Sequence, residues 1–349
     1  ASGNGALQEA GRRIQRCIRT VDTAACMRED RFVVLLDEIR EPVDVVHAVA
    51  RIQKELAQPI ELCGKQMGLT ACIGIVLGPD NYQDAEEMIR DAEVASRQAK
   101  RQGPGRCVIF DTKIQKQVDE RVRLEERLGG AIERAELRLH YQPIVSLATG
   151  EFEGFEALLR WQISEQELLY PSDFLPVAEA ADIMTPINNW VLQESCRQLA
   201  RWQDRFPSHR NLGISVNLPI GYLEQPDFPR ILHSLIHDNG IEPSALTLEI
   251  LESQIMEHPE FVAVVFSQLN ELGVAIALDD FGKGYSSLSF LGQLPVQILK
   301  IDQSFVAKLG KCVRTQSIVR AICLLGECLG LRLIAEGVET QDQIRRLRA

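Results

Sequence analysis

In the C-terminal two-thirds of this 349-residue chain, single polar residues recur at or near the ends of apolar runs. Glu156 lies in residues 152–160, Asn217 ends 213–217, Glu249 lies in 245–250, and Asp279 ends 274–279 with Asp280 next. Lys300 sits between Leu299 and Ile301, and Glu336 follows Leu333-Ile334-Ala335. A charge within an apolar strand is unfavourable unless it is paired or bound to a metal. Any one of these residues alone is read most simply as half of a buried ion pair; six strands sharing the habit are not. Five carboxylates and an asparagine against a single lysine leave an excess of negative charge that drives carboxylates toward protonation. Divalent cations remove that excess. Oxygen donors without His or Cys favour Mg2+ or Mn2+ over Zn2+, adjacent aspartates can bridge two ions, and a two-ion site suits in-line displacement at phosphorus.

The elements that must position these groups are strand candidates at 139–145, 152–160, 213–217, 245–250, 274–279, 296–301 and 331–335, separated by long amphipathic helices. That alternation predicts an α/β fold with a nearly complete parallel barrel, whose strand ends converge on one mouth. Residues 1–110 instead predict an α+β domain. Helix signals at 6–19, along Val46, Val49, Ile52 and Leu56, and at 84–102 alternate with strand signals at 23–27, 32–36, 69–77 and 107–110. Residues 112–135 are charged, with a narrow stripe of Ile114, Val118, Val122, Leu128 and Ile132. They predict a helical linker that transmits signals between domains, or a surface helix of the second domain. The division expected is 1–111, a linker at 112–125, and 126–349.

At 45% apolar and 25% charged, the composition is that of an ordinary globular protein. No run approaches the roughly 20 apolar residues of a membrane span, and no basic-then-apolar leader opens the chain, so no membrane segment and a cytoplasmic location are expected. With 38 Lys and Arg against 49 Asp and Glu, the net charge of -11 argues against a nucleic acid polymer as partner. An anionic substrate must therefore be held locally. The nine cysteines form no Cys-x-x-Cys pair, and His233 and His237 lack the glutamate of a zinc motif.

The segments EALLR at 156–160, VNL at 216–218, LEILES at 248–253, DDFGKGYSS at 279–287, LKID at 299–302 and AEGVET at 335–340, with Tyr141-Gln142-Pro143 ahead of them, resemble the EAL family of cyclic diguanylate phosphodiesterases. The resemblance implies a TIM-like (β/α) barrel that hydrolyses c-di-GMP to linear pGpG with two Mg2+ or Mn2+ ions. Carried onto this chain, Glu156, Asn217, Glu249 and Asp279 bind one ion, with Asp279, Asp280 and Glu336 near the second. Lys300 orients or helps deprotonate the attacking water, so Lys300, Glu336 and Glu156 form the catalytic group. Arg160 contacts a substrate phosphate, with a barrel-end salt bridge as its alternative, and Leu158 and Gln142 join it in binding substrate. Glu252 and Glu339 support a mobile loop around Gly282, Lys283 and Gly284 that couples metal binding to a homodimer through the EAL domain. Lys283 stands where the family more often has Thr, and Pro219 replaces a usual Ser. The family continues past 345–349 into a further strand, so a longer natural protein is expected, with any sensor domain upstream. The competing reading is a receptor that binds c-di-GMP without cutting it. Such receptors typically lose metal ligands, and none of those visible here is lost.

Residues 1–110 resemble the C-terminal portion of a GGDEF domain, the fold that makes cyclic diguanylate. The signature falls on 28–32, where only Asp30 and Phe32 match. Arg28 and Glu29 replace the glycines of an open turn, and Arg31 puts a cation at a metal-binding carboxylate position. A degenerate, regulatory GGDEF-like domain without cyclase activity is expected. Arg19 and Asp22 stand at the family's inhibitory Arg-x-x-Asp site; a helix-end ion pair is the alternative.

Overall fold

The computed structural model describes residues 2–28, 31–62, 65–78, 82, 84–255, 259–283 and 291–348, in two compact units, Ala1–Arg127 and Leu128–Ala349. The first is α+β. It runs α1 (Ser2–Cys17), β1 (Thr23–Arg28), β2 (Arg31–Leu35), α2 (Pro42–Ala57), β3 (Ile60–Leu62), β4 (Lys65–Met67), β5 (Ile73–Ile75), α3 (Ala85–Gln102), β6 (Cys107–Ile109) and α4 (Thr112–Leu128). The apolar stripe of α2 serves two clusters. Ile52 and Leu56 pack with Ala10, Ile14 and Cys17, while Val45 and Val49 pack with Ile75, Ile109 and Val118. Buried Arg13 donates to the carbonyls of Glu55, Leu56, Gln58 and Pro59, gathering the oxygens at and just beyond the end of α2.

Val118, with Ile114 and Val122, seats α4 on the core of this first unit. Arg121 pairs with Glu41 at 2.7 Å and His47 with Glu125 at 3.1 Å along the same helix. The helix expected over 112–135 stops at Leu128 because Gly129 and Gly130 follow, and residues 131–135 turn instead.

The second unit opens with β7 (Leu137–Val145) and β8 (Phe152–Ser164), to which the short β9 (Glu167–Leu169) adds. After α5 (Pro171–Ala180) and α6 (Met184–Arg205) come β10 (Gly213–Asn217), α7 (Ile220–Leu223), α8 (Phe228–Asn239), β11 (Leu246–Leu251), α9 (Glu252–Ile255), α10 (Pro259–Glu271) and β12 (Ala275–Phe281). Then follow β13 (Ile298–Ile301), α11 (Gln303–Val306), α12 (Val313–Leu329), β14 (Arg332–Ala335) and α13 (Gln341–Leu347). From β8 through β14 the strands pair in parallel in chain order, apart from β9, which pairs antiparallel with β8. The expectation of an all-parallel sheet fails at β7, which runs antiparallel to β8. Its link, residues 146–151, is too short for a crossover helix, so the chain returns as a hairpin.

Helices cover the parallel strands, which is why Leu246, Leu248, Ile250, Ile276, Ala277 and Leu278 are all buried and the strands read as continuous apolar runs. Trp161 is fully buried, packs edge-on against Phe174 and donates its Nε1 to Glu136 Oε2 at 3.0 Å. Gly154 on β8 stands in register with Gly213 on β10. A Cβ on Gly154 would lie 2.6 Å from the Gly213 carbonyl oxygen, so β8 approaches β10 this closely only because Gly154 lacks a side chain. Gly154→Val should therefore prise β8 from β10 and destabilise by roughly 1–3 kcal/mol, as overpacking does. Urea unfolding followed by tryptophan fluorescence measures this; an unchanged midpoint would refute the close approach.

Candidate active site

Lys300 lies on β13, every residue of which is buried, and its side chain is 1% exposed. Four neighbouring elements deliver a carboxylate to its Nζ. Glu249 Oε2 from β11 and Glu336 Oε1 after β14 are each at 2.6 Å, and Glu156 Oε2 from β8 and Asp279 Oδ1 from β12 are each at 3.3 Å. Asn217, which ends β10 beside Glu249, donates its Nδ2 to Glu156 Oε1 at 2.8 Å. The six strand-end groups singled out in sequence apart from Asp280 thus form one cluster.

Asp280 follows Asp279 directly, and successive strand residues ordinarily face opposite sides. A register shift between Leu278 and Phe281 and a φ of 57° at Asp280 break that alternation. As a result Asp279, Asp280 and Glu336 each offer an oxygen within 4.8 Å of the others. Gly282 takes a φ of 98° with its Cβ position 3.0 Å from the Phe305 ring, and its N–H donates to Glu252 Oε2 at 2.8 Å. That bond ties the loop's first turn to β11's end. Lys283 Nζ lies 3.0 Å from Asp280 Oδ1 and 2.8 Å from Asp302 Oδ2. Gly284, with the rest of 284–290, lies outside the described residues.

Burial pushes Glu249 up to about 8 against the pull of Lys300, and Glu336 up to about 7 for the same reasons. Burial alone would lower Lys300, but Glu249, Glu156, Asp279 and Glu336 outweigh it and hold the group well above its ordinary value. It stays an ammonium. One charge cannot satisfy four acids, and Glu249 Oε1 is buried without a hydrogen-bond partner among the described residues. An orphaned carboxylate oxygen within an all-oxygen donor set fits a hard divalent cation such as Mg2+ or Mn2+.

Glu156, Leu158 and Arg160 alternate along β8 and share one face, and Gln142 on β7 stands opposite Glu156. The Arg160 guanidinium lies 4.7 Å over the Tyr170 ring and donates to the Leu159 carbonyl at 2.7 Å. Among the described residues, an aromatic face and a carbonyl, rather than a salt bridge, hold it. Glu339 is exposed, and its backbone N–H donates to Gln343 Oε1 at 2.8 Å in the turn leading to α13.

Sequence reasoning assigned no part to Asp302 or Tyr170. Asp302 sits two residues after Lys300, buried, and caps α11 by accepting from Ser304 N at 2.9 Å. A lone acid after an apolar strand was its only signal. In the first unit, Asp22 accepts from the backbone N–H of Arg19 at 2.7 Å and of Asp37 at 3.0 Å, closing a turn instead of making the helix-end ion pair. Arg19 and Asp22 line a cavity of about 130 Å3 with Asp37, Asp44, His47 and Arg51. Arg31 pairs with Glu93 at 2.8 Å, while Glu29 and Asp30 lie outside the described residues.

Residues 125–349 match the EAL domain family, and residues 1–106 match the diguanylate cyclase, GGDEF domain family. The bifunctional diguanylate cyclase/cyclic di-GMP phosphodiesterase MucR of Pseudomonas aeruginosa is 37% identical over 98% of this chain and 49% of its own length. The cyclic di-GMP phosphodiesterase PdeR of Escherichia coli is 33% identical over 98% of this chain and 51% of its own length. The chain thus spans about half the length of the curated relatives it matches. Among solved structures, the PaMucR phosphodiesterase in complex with c-di-GMP is 40% identical, with a TM-score of 0.62 over 65% of this chain and 91% of that one. The EAL enzyme Bd1971 bound to cAMP and cyclic-di-GMP is 27% identical, with a TM-score of 0.63 over 77% of this chain and 70% of that one. No helix among the described residues is long and apolar enough to cross a membrane.

The raised acids have a consequence for stability. In the folded chain Glu249 and Glu336 keep protons that the unfolded chain releases near the ordinary value of 4.5. The folded state therefore holds more protons up to about pH 8, and stability falls as pH rises through that window. Lys300, raised above its ordinary 10.5, stabilises equally throughout it. In EDTA the melting temperature should drop between about pH 5 and pH 8, and Glu249→Gln should flatten the drop. An equal drop in both proteins would show that Glu249 is not the desolvated acid.

Proposed function

We propose, from the premise that this chain belongs to the EAL family and carries a GGDEF domain ahead of its EAL domain, that it hydrolyses c-di-GMP to linear pGpG with Mg2+ or Mn2+. The observation that carries this reading is the set of four carboxylates closed around Lys300, with Asp280 and Asn217 beside them. So acidic a cluster would repel a phosphodiester unless cations were present. Glu156, Asn217, Glu249 and Asp279 would hold one ion, and Asp279, Asp280 and Glu336 a second. Bound there, divalent ions would supply Lewis acidity toward the phosphoryl oxygens and the water.

The chain's own groups do the rest. Lys300, kept as an ammonium, has donors only, so it orients the water oxygen rather than removing its proton. Water oxygen bonds to phosphorus as the P–O3′ bond breaks; its proton passes to Glu336 or Glu156, and the 3′ oxygen leaves as a hydroxyl after taking a proton from solvent water. Arg160, its plane already set by Tyr170, presents its fork to a substrate phosphate, with Leu158 and Gln142 beside it. Glu252 and Glu339 support the loop after Asp280. The GGDEF-like domain is regulatory in this reading, and the assembly is a cytoplasmic homodimer through the EAL domain with an upstream sensor.

Purified protein with Mg2+ or Mn2+ should yield pGpG by chromatography, and Glu156→Ala or Lys300→Ala should lower kcat by roughly three orders of magnitude with the fold retained by circular dichroism. Tight binding with no product over hours would replace the phosphodiesterase by a receptor. Labelled GTP should give no labelled c-di-GMP, since Arg31 brings a cation to the hairpin; any labelled product would overturn the loss of cyclase activity.

A further inference from the structure

Lys283 has a half-exposed ammonium, 48% exposed, yet it is bound at both ends of an acidic gap. It lies 3.0 Å from Asp280 Oδ1 and 2.8 Å from Asp302 Oδ2, and the Asp302 side chain is 1% exposed. Asp280 is one of the three residues whose oxygens converge within 4.8 Å, whereas Asp302 is not. The gap thus holds two acids, one shared with the converging set and one behind it, with a tethered cation between them. A lysine on a flexible stem delivers a compact point charge, so it can pair with both aspartates at once. Asp302 is also fixed from its other side by the Ser304 N–H at 2.9 Å, which prevents it from swinging away to leave Lys283 with Asp280 alone.

We propose that Lys283 is an internal monovalent cation for the Asp280 side of the centre, weakening the second divalent ion relative to the first. This rests on the metal-dependent reading above. Lys300, at 2.6–3.3 Å from Glu156, Glu249, Asp279 and Glu336, bears on the acids of both ions, whereas Lys283 bears on Asp280 and so on the second ion alone. A divalent ion on Asp279, Asp280 and Glu336 must instead be bound beside the Lys283 charge or displace it from Asp280, and either is unfavourable. The centre therefore fills in two unequal steps, and the concentration at which the second step occurs is set by a residue that binds no metal. Mg2+ availability would then determine how much of the protein carries both ions.

The test is Mn2+ binding by the full chain, followed by the electron paramagnetic resonance signal of free Mn2+ after chelator removal. The native protein should bind one Mn2+ tightly and a second weakly. Lys283→Thr should tighten the second ion by about tenfold or more while leaving the first unchanged, and Lys283→Arg, which keeps the charge, should behave as the native protein. Should Lys283→Thr unfold because Asp302 is left buried without its partner, the double variant Lys283→Thr, Asp302→Asn removes that acid and carries the same expectation. An unchanged second dissociation constant in a folded Lys283→Thr or double variant, with the first ion bound, overturns the role of Lys283 alone. Absence of Mn2+ binding in every variant overturns the metal-dependent reading and this proposal with it.

Discussion

A lysine ammonium withdrawn almost wholly from water sets the terms for the second unit. Burying such a charge carries a penalty on the order of several kcal/mol, which only close, well-aligned partners offset. For Lys300 those partners come from β8, β11, β12 and the residue after β14, so its burial is tolerable only when all four are in register at once. The same four acids are too many for one base. What holds the sheet ends together also leaves them short of positive charge, and structure and chemistry share that single imbalance.

Other features make sense as supports for this arrangement. Gly154 lets β8 approach the Gly213 backbone of β10 two residues before Glu156 and four before Asn217. The left-handed turn at Asp280 brings a second aspartate to the side where Asp279 already lies, which a regular strand could not do. Asp280 is one of few non-glycine residues with positive φ, and an aspartate tolerates that region better than most. Glu252 then holds the Gly282 amide, so the strained step is fixed on its far side too.

The fold class was legible in the sequence, and so were the charged residues that its strand ends carry. Glu249 and Lys300 stood out because parallel strands covered on both faces leave no place for an isolated charge, and that contrast survives without coordinates. The direction of β7 was not read, although the six-residue link at 146–151 contained it, because periodicity reports burial and not strand sense. The partner of α4 was hidden for a similar reason. Ile114, Val118 and Val122 show that a face is covered, but only three-dimensional proximity reveals Val45, Val49 and Ile109 beneath it. Asp302 escaped notice because a helix cap and an ion-pair partner leave the same trace, one acid after a strand, and here it is both.

The order of strands in the second unit has a consequence for how the protein is made. The sheet's neighbour order is the chain's own order, with β9 alone set off the path. Each strand after the first hairpin thus meets an edge already synthesised, and the sheet can grow by accretion as the chain emerges, without waiting for distant sequence. Glu156, Asn217, Glu249, Asp279 and Asp280 are all in place in that sequence before β13 brings Lys300. All the acids of the cluster but Glu336 thus gather ahead of the base that neutralises them. Until β13 arrives, the growing edge carries uncompensated like charge, and the strand that brings Lys300 relieves that repulsion.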